Sequence, residues 1–156
     1  KASEMPLRIA AKLPRGERRF FKQCLEPLID GKHVQLVGEV NDQEKQEFLA
    51  GAAALLFPID WPEPFGLVMI EAMACGTPVI AFRSGSVPEV IKDGVTGFIV
   101  QSEAEAVEVI KHRLPKLTRE RVRAEFERRF SAKRMAGDYL AHYSRLLSCC
   151  STNGNG

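Results

Sequence analysis

Five short apolar runs recur along the chain, separated by segments in which apolar and polar residues alternate at helical spacing. Short apolar runs bounded by glycine, proline and other turn residues predict buried β-strands, and the segments between them predict helices. The predicted strands are 7–11, 34–37, 53–57, 79–82 and 97–100. The predicted helices are 16–28, 42–51, 65–75, 88–91, 102–113, 118–129 and 131–147.

The alternation of strands with helices predicts an α/β fold. Because the strands are almost continuously apolar, we expect a Rossmann-like, doubly wound parallel sheet that holds all of them and is covered on both faces. Residues 1–147 would form this single domain, and residues 148–156 would be a disordered tail. Ligands of such sheets bind in loops beyond the carboxyl ends of the strands. Three loops qualify, at 38–41, 58–64 and 83–87.

Composition excludes several classes of protein. Hydrophobic residues make up 45% and charged residues 27% of the chain, and the net charge of +2 favours neither nucleic acid nor an anionic membrane as a partner. No run approaches the roughly 20 apolar residues of a membrane span, and no apolar segment typical of a signal peptide follows Lys1. The cysteines have no metal-site spacing, and the adjacent Cys149 and Cys150 suit no ordinary disulfide. We therefore expect a cytoplasmic protein with reduced thiols.

Glu71 is the one charged residue in the otherwise apolar helix predicted over 65–75. A helix that is apolar on all sides is buried, and a lone carboxylate there is costly unless it has partners. Two interpretations stay open. Glu71 is either a structural carboxylate satisfied by a cation or by backbone donors, or a residue that binds the hydroxyl groups of a ligand.

The start of this helix has the features of an anion site. Pro64 suits the first turn, where its missing N–H is harmless, and Gly66 allows a ligand to approach the backbone closely. The backbone N–H groups of Phe65, Gly66 and Leu67 would point out of the helix end, toward phosphate or sugar oxygens. Glu63 precedes them and can accept hydrogen bonds from sugar hydroxyls, or it can simply cap the helix.

Together these residues resemble the retaining glycosyltransferases of family 4, which have the two-lobed GT-B fold. The resemblance rests on Glu63 and Glu71 with seven residues between them, and on the motifs around that pair. The matching segments are 65–67, 71–81, 85–89, 93–100, 34–38 and 130–143. They place residues 7–147 in the C-terminal, nucleotide-sugar-binding lobe of that family.

The resemblance implies a role for each residue of the site. Glu71 would hold the ribose hydroxyls of a nucleotide diphosphate sugar, UDP- or GDP-linked, and Glu63 would contact the transferred sugar as the catalytic residue. The backbone of Phe65, Gly66 and Leu67 would bind the donor at the helix start. Val68 would pack at the ribose, and Gly38 and Val40 would lie beside the base. The reaction implied is transfer of a hexose with its anomeric configuration retained, without a cofactor.

The chain also departs from the family pattern. The C-terminal lobe of family members begins with a strand carrying an arginine, followed by a lysine that helps to grip the diphosphate, and no match to that segment precedes Leu7. Lys12 is not assigned the role of that lysine. The N-terminal lobe, which binds most of the acceptor, has no counterpart here either. We therefore expect the chain to be a fragment that is inactive by itself.

Other sequence features point away from metal chemistry. An Asp-x-Asp motif, which could bind a metal-diphosphate complex, is absent, and the three histidines are scattered, so we expect no catalytic metal. The arginines of 119–129 alternate with glutamates and predict a solvated helix face. Two alternative functions remain open: a nucleotide-sugar epimerase with a similar fold, and a non-catalytic module that binds nucleotide or has only a structural role.

Overall fold

The structure is a computed structural model that describes residues 2–13 and 15–152. The strands are β1 Leu7–Ala10, β2 Val34–Gly38, β3 Leu55–Phe57, β4 Val79–Phe82 and β5 Gly97–Val100. The helices are α1 Arg18–Phe20, α2 Asp42–Ala50, α3 Leu67–Ala74, α4 Val87–Val90, α5 Glu103–Glu108, α6 Arg119–Phe130 and α7 Ala132–Thr152. Further 3-10 and π-helical turns flank α1, at 15–17 and 21–28, and follow α5, at 109–116.

All hydrogen-bonded strand pairs of the described residues are parallel, as predicted. The prediction of one sheet was wrong, because the strands form a two-stranded sheet, β1-β2, and a three-stranded sheet, β3-β4-β5. The chain leaves β2 through α2 and enters β3, which pairs with β4 rather than with β1 or β2. Within the described part of the chain, β1, β2, β3 and β5 therefore each pair with only one other strand.

The three-stranded sheet is covered on both faces, which confirms the doubly wound α/β architecture. Side chains of β4 alternate between the faces, as the pleat requires. Val79 and Ala81 pack in one buried cluster with residues of α3 and α6, and Ile80 packs in a second cluster on the opposite face. The second cluster also holds Phe98 and Val109. The rigid sheet thereby fixes the loops at its carboxyl edge.

The segment predicted as one amphipathic helix at 16–28 is helical but irregular. It passes from a 3-10 turn into α1, then into a π-helical and a second 3-10 turn. Pro27 lies in the last turn, where its ring and missing N–H prevent a regular α-helix from continuing. The apolar side chains Phe20 and Leu28 are exposed rather than packed in the core. Apolar periodicity predicted helical structure here but not its burial.

Helix α7 begins after Ser131, whose hydroxyl accepts a hydrogen bond from the N–H of Arg134, as expected of a capping residue. The helix continues to Thr152. Residues 148–152 of the predicted tail lie within these bounds. Residues 153–156 lie outside the described residues.

Helix α6 is more than the solvated face that its mixed charges predicted. The Arg119 guanidinium donates to the carbonyls of Ala50, Ala52 and Cys75, which lie at the ends of α2 and α3, and to the hydroxyl of buried Thr77. Two further arginines donate in the same way to the ends of α3 and α4. These bonds join Arg123 to Ala74 and Arg129 to Val90. The α6 arginines therefore satisfy carbonyls that a helix end leaves without partners.

We predict that Arg119→Ala lowers the free energy of unfolding by about 1.5–3 kcal/mol, since four hydrogen bonds from a charged donor are lost, one of them to the buried Thr77. Chemical denaturation measures the loss. Arg121→Ala is the matched control, because Arg121 lies on the same helix and has no hydrogen bond recorded within the described residues; its effect should be within about 0.5 kcal/mol. Equal effects of the two substitutions would contradict the role given to Arg119.

Candidate functional site

The loops that follow β3 and β4 are hydrogen-bonded to each other at the carboxyl edge of the three-stranded sheet. The N–H of Ser86 donates to the carbonyl of Glu63 over 3.0 Å, and its hydroxyl donates to the carbonyl of Phe65 over 2.8 Å. The hydroxyl of Ser84 donates to the carbonyl of Trp61 over 2.7 Å. Two of the three loops predicted to bind a ligand therefore form one structural unit.

Helix α3 begins later than predicted. Gly66 is its N-cap and has a positive φ of 72°, which favours glycine, so Pro64 and Phe65 precede the helix instead of forming its first turn. A Cβ on Gly66 would lie 2.7 Å from Cε of Met69 and 3.0 Å from Cζ of Phe57. Glycine is thus required at the start of α3 both for its backbone conformation and for lack of space.

The backbone at the start of α3 presents unpaired donors. Within residues 2–13 and 15–152, the N–H groups of Phe65, Gly66 and Leu67 have no recorded hydrogen-bond acceptor. No side chain caps the helix, so the interpretation of Glu63 as a simple helix cap was wrong. A left-handed residue followed by a helix start makes a concave group of N–H donors, with the positive end of the helix dipole behind it. Such a group suits phosphate or sugar oxygens.

Glu71 is paired with a cation but is not buried. Nζ of Lys45 lies 2.8 Å from Oε1 of Glu71 and 3.3 Å from Oδ1 of Asp42, and the side chains of Lys45 and Glu71 are 34% and 36% exposed. The hydrogen bond to Glu71, and secondarily the one to Asp42, raises the pKa of Lys45 above its usual value, so the ammonium form is kept until the pH exceeds that pKa. Oε2 of Glu71 has no recorded partner among the described residues and is an open acceptor.

Glu63, three residues before the N-cap Gly66, is paired in a similar way. The indole N–H of Trp61 donates to Oε2 of Glu63 over 3.1 Å, and no partner is recorded for Oε1 within the described part of the chain. The N–H of Glu63 also donates to the carbonyl of Trp61. Each of the two carboxylates thus has one oxygen held by a protein donor and one oxygen free to accept from a ligand.

The third predicted loop, 38–41, leads into α2, the helix whose Lys45 contacts Glu71. Gly38 ends β2 with a φ of 85°, and Val40 is half-buried beside it. Asn41 then caps α2 in a capping box with Glu44, as expected of this residue. The cap fixes the first turn of α2, which carries Lys45 to Glu71. The loop that holds Gly38 and Val40 is therefore linked to Glu71 through α2.

The remaining predicted residue, Val68, is half-buried in the first turn of α3 and packs against the buried cluster that contains Val79 and Ala81.

Three residues that sequence reasoning did not assign also shape the site: Lys45, Trp61 and Gly85. Trp61 is the sole tryptophan of the chain and lies in a loop already singled out, so its position was a usable signal. Nothing in the sequence distinguished Lys45 from other surface lysines.

Residues 2–13 and 15–152 contain neither a metal-binding cluster nor a helix that could cross a membrane. No three His, Cys, Asp or Glu side chains there come together in a way that could hold a metal ion. No helix in that part of the chain is both long and apolar enough to cross a membrane. Cys24 and Cys75 are free thiols, and the side chains of Cys149 and Cys150 lie outside the described residues.

Comparison with known proteins gives consistent matches. Residues 14–134 match the family model of glycosyl transferases group 1. D-inositol 3-phosphate glycosyltransferase of Mycolicibacterium smegmatis is 37% identical, over 95% of this chain and 38% of its own length. Anabaena HepE in complex with UDP has a similar structure, with a TM-score of 0.75 at 22% identity, over 90% of this chain and 41% of HepE.

Sucrose-phosphate synthase from Thermosynechococcus elongatus is also similar in structure. Its TM-score is 0.73 at 24% identity, over 92% of this chain and 39% of the synthase. At these identities the two structural likenesses concern the fold alone. The chain spans about two fifths of the length of the proteins compared.

Proposed function

Since the chain belongs to the group 1 glycosyl transferases, we propose that it is the nucleotide-sugar-binding, C-terminal lobe of a retaining hexosyltransferase of family 4. One observation carries the proposal. Two carboxylates, Glu63 and Glu71, flank a group of unpaired N–H donors in the sequence, and each has one oxygen free. A nucleotide diphosphate sugar offers hydroxyl groups that can donate to the carboxylates and phosphate oxygens that can accept from the N–H groups.

The donor is bound by these groups in sequence. The N–H groups of Phe65, Gly66 and Leu67 donate to phosphate or sugar oxygens, where the helix dipole favours negative charge. Oε2 of Glu71 accepts from the ribose hydroxyls, beside which Val68 packs. The base lies toward the loop of Gly38 and Val40, and Oε1 of Glu63 accepts from hydroxyl groups of the transferred sugar. Anabaena HepE, which shares the fold, has been solved with UDP and with UDP-glucose.

Transfer breaks the bond between the anomeric carbon and the diphosphate oxygen, and the electron pair leaves with the nucleoside diphosphate. A hydroxyl oxygen of the acceptor forms the new bond on the same face of the sugar, and its proton passes to the departing diphosphate oxygen. The N–H donors at the start of α3 stabilise the charge that develops on the leaving diphosphate.

We propose that the acceptor is bound mainly by an N-terminal lobe of the parent enzyme and that this chain alone does not turn over. We also propose that the enzyme is cytoplasmic.

A thermal-shift panel with UDP, GDP, ADP and TDP tests the proposed function. A ligand that binds only the folded chain adds about 2.7 kcal/mol of stability at 100 times its Kd, so at least one nucleotide should raise the Tm by several degrees. The matched control is the corresponding nucleoside, which lacks the diphosphate and should produce a smaller shift. If none of the four nucleotides shifts the Tm at millimolar concentration, the function is not donor binding.

Nucleotide binding should not depend on a metal, because the proposed site supplies backbone donors rather than a cluster of carboxylates to the diphosphate. We expect the Kd measured by calorimetry to be unchanged when EDTA replaces magnesium or manganese in the buffer. Binding that disappears in EDTA and returns with manganese would contradict this expectation.

A further inference from the structure

The loop between β3 and α3 carries an exposed aromatic ring at the sugar end of the proposed site. Trp61 is 55% exposed, although a tryptophan normally covers most of its large apolar surface. It lies 3.1 Å, through its indole N–H, from the carboxylate of Glu63. A ring this close to Glu63 is within reach of any sugar that Glu63 contacts.

Trp61 is also held in place by the loops around it. Its carbonyl accepts from the hydroxyl of Ser84 over 2.7 Å and from the N–H of Glu63 over 2.8 Å. The backbone of Trp61 is thus tied both to the loop after β4 and to Glu63. An exposed ring on a fixed backbone loses little conformational entropy when a ligand packs on it.

We propose that Trp61 binds the transferred sugar, with its indole ring packed against the apolar C–H face of a pyranose and its N–H holding Glu63 toward the hydroxyl groups of the same sugar. This inference rests on the proposed function, which places the sugar at Glu63. Aromatic rings combine an apolar face with a polar edge, and a pyranose combines C–H groups on its faces with hydroxyl groups on its rim. Trp61 and Glu63 together match both parts of the sugar.

The sugar should therefore add to binding through Trp61. We define the sugar advantage as the Kd of a nucleoside diphosphate divided by the Kd of its sugar conjugate, measured for UDP with UDP-glucose and for GDP with GDP-mannose. Trp61→Leu should reduce this ratio about fivefold for the preferred nucleotide, as expected for loss of one aromatic contact. Trp61→Phe keeps a ring but loses the N–H, and it should retain part of the advantage. Tyr139→Leu, which removes another exposed aromatic ring on α7, should not change the ratio.

Tryptophan fluorescence gives a second readout, because Trp61 is the sole tryptophan of the chain. Its emission should change more with UDP-glucose or GDP-mannose than with the nucleotide alone, which a purely structural tryptophan would not show. A chain that binds nucleotide, but in which Trp61→Leu keeps the full sugar advantage and the emission ignores the sugar, would overturn this inference and leave the nucleotide site intact. Failure of every nucleotide to bind would overturn the proposed function together with it.

Discussion

Glu71→Gln weakens nucleotide binding by roughly tenfold or more and leaves the Tm close to that of the unsubstituted chain. The loss in binding follows from the charge of the acceptor, since a hydrogen bond to a charged group contributes about 1.5–3 kcal/mol. The small change in Tm follows from the exposure of the Lys45–Glu71 pair, because partly exposed ion pairs contribute little to stability. Calorimetry with the best nucleotide of the panel and thermal unfolding measure the two effects.

Lys45→Met is the matched control for Glu71→Gln. It removes the same ion pair and leaves the free oxygen of Glu71 in place. If Glu71 binds ribose, Glu71→Gln should weaken binding more than Lys45→Met does, and it should also reduce the preference for a nucleotide over its 2′,3′-dideoxy analogue. If Glu71 only pairs with Lys45, both variants bind nucleotide as the unsubstituted chain does, and the preference over the 2′,3′-dideoxy analogue is unchanged.

Gly85→Ala should destabilise the chain by about 2–4 kcal/mol and displace Glu63. Gly85 has a φ of 49°, and an added Cβ would lie 2.5 Å from the backbone nitrogen of Glu63 and 2.9 Å from the carbonyl carbon of Pro62. Backbone atoms at that distance must move, so the cost of overpacking adds to that of a left-handed backbone. Thermal unfolding should show a Tm lower by roughly 5–15 °C, and nucleotide-sugar binding should weaken at temperatures where the variant is folded.

Gly94→Ala separates the cost of overpacking from the cost of the left-handed backbone. Gly94 has a similar positive φ of 70°, but a Cβ there meets no atom within 4 Å. Its substitution should cost only about 1 kcal/mol for the left-handed conformation. A Gly85→Ala variant that is no less stable than Gly94→Ala would show that the loops after β3 and β4 are not packed as closely as in this structure.

The elements of the fold could be predicted from the sequence because each is defined by local pattern. Apolar runs bounded by turn residues placed the strands 79–82 and 97–100 correctly, since a strand buried on both faces must be apolar at every position. The division into two sheets could not be predicted in this way. Pairing depends on which edges meet, and the pattern of apolar residues within β1 or β3 carries no information about its neighbour.

The same distinction applies to the site. The start of α3 could be predicted to within two residues because Pro64 and Gly66 are local signals of a helix start. The role of Lys45 could not be predicted, because its partner Glu71 is 26 residues away and the contact exists only once α2 packs against α3. The role of Arg119 could not be predicted for the same reason. Its alternation with glutamates predicted a solvated side chain, whereas its acceptors lie 42–69 residues earlier in the chain.

A crystal structure of the chain with the nucleotide that gives the largest thermal shift tests the central claim most directly. The account predicts that the diphosphate accepts from the N–H groups of Gly66 and Leu67, and that the ribose hydroxyls lie within about 3 Å of Oε2 of Glu71. A nucleotide bound away from the start of α3, with Glu71 contacting Lys45 alone, would contradict it.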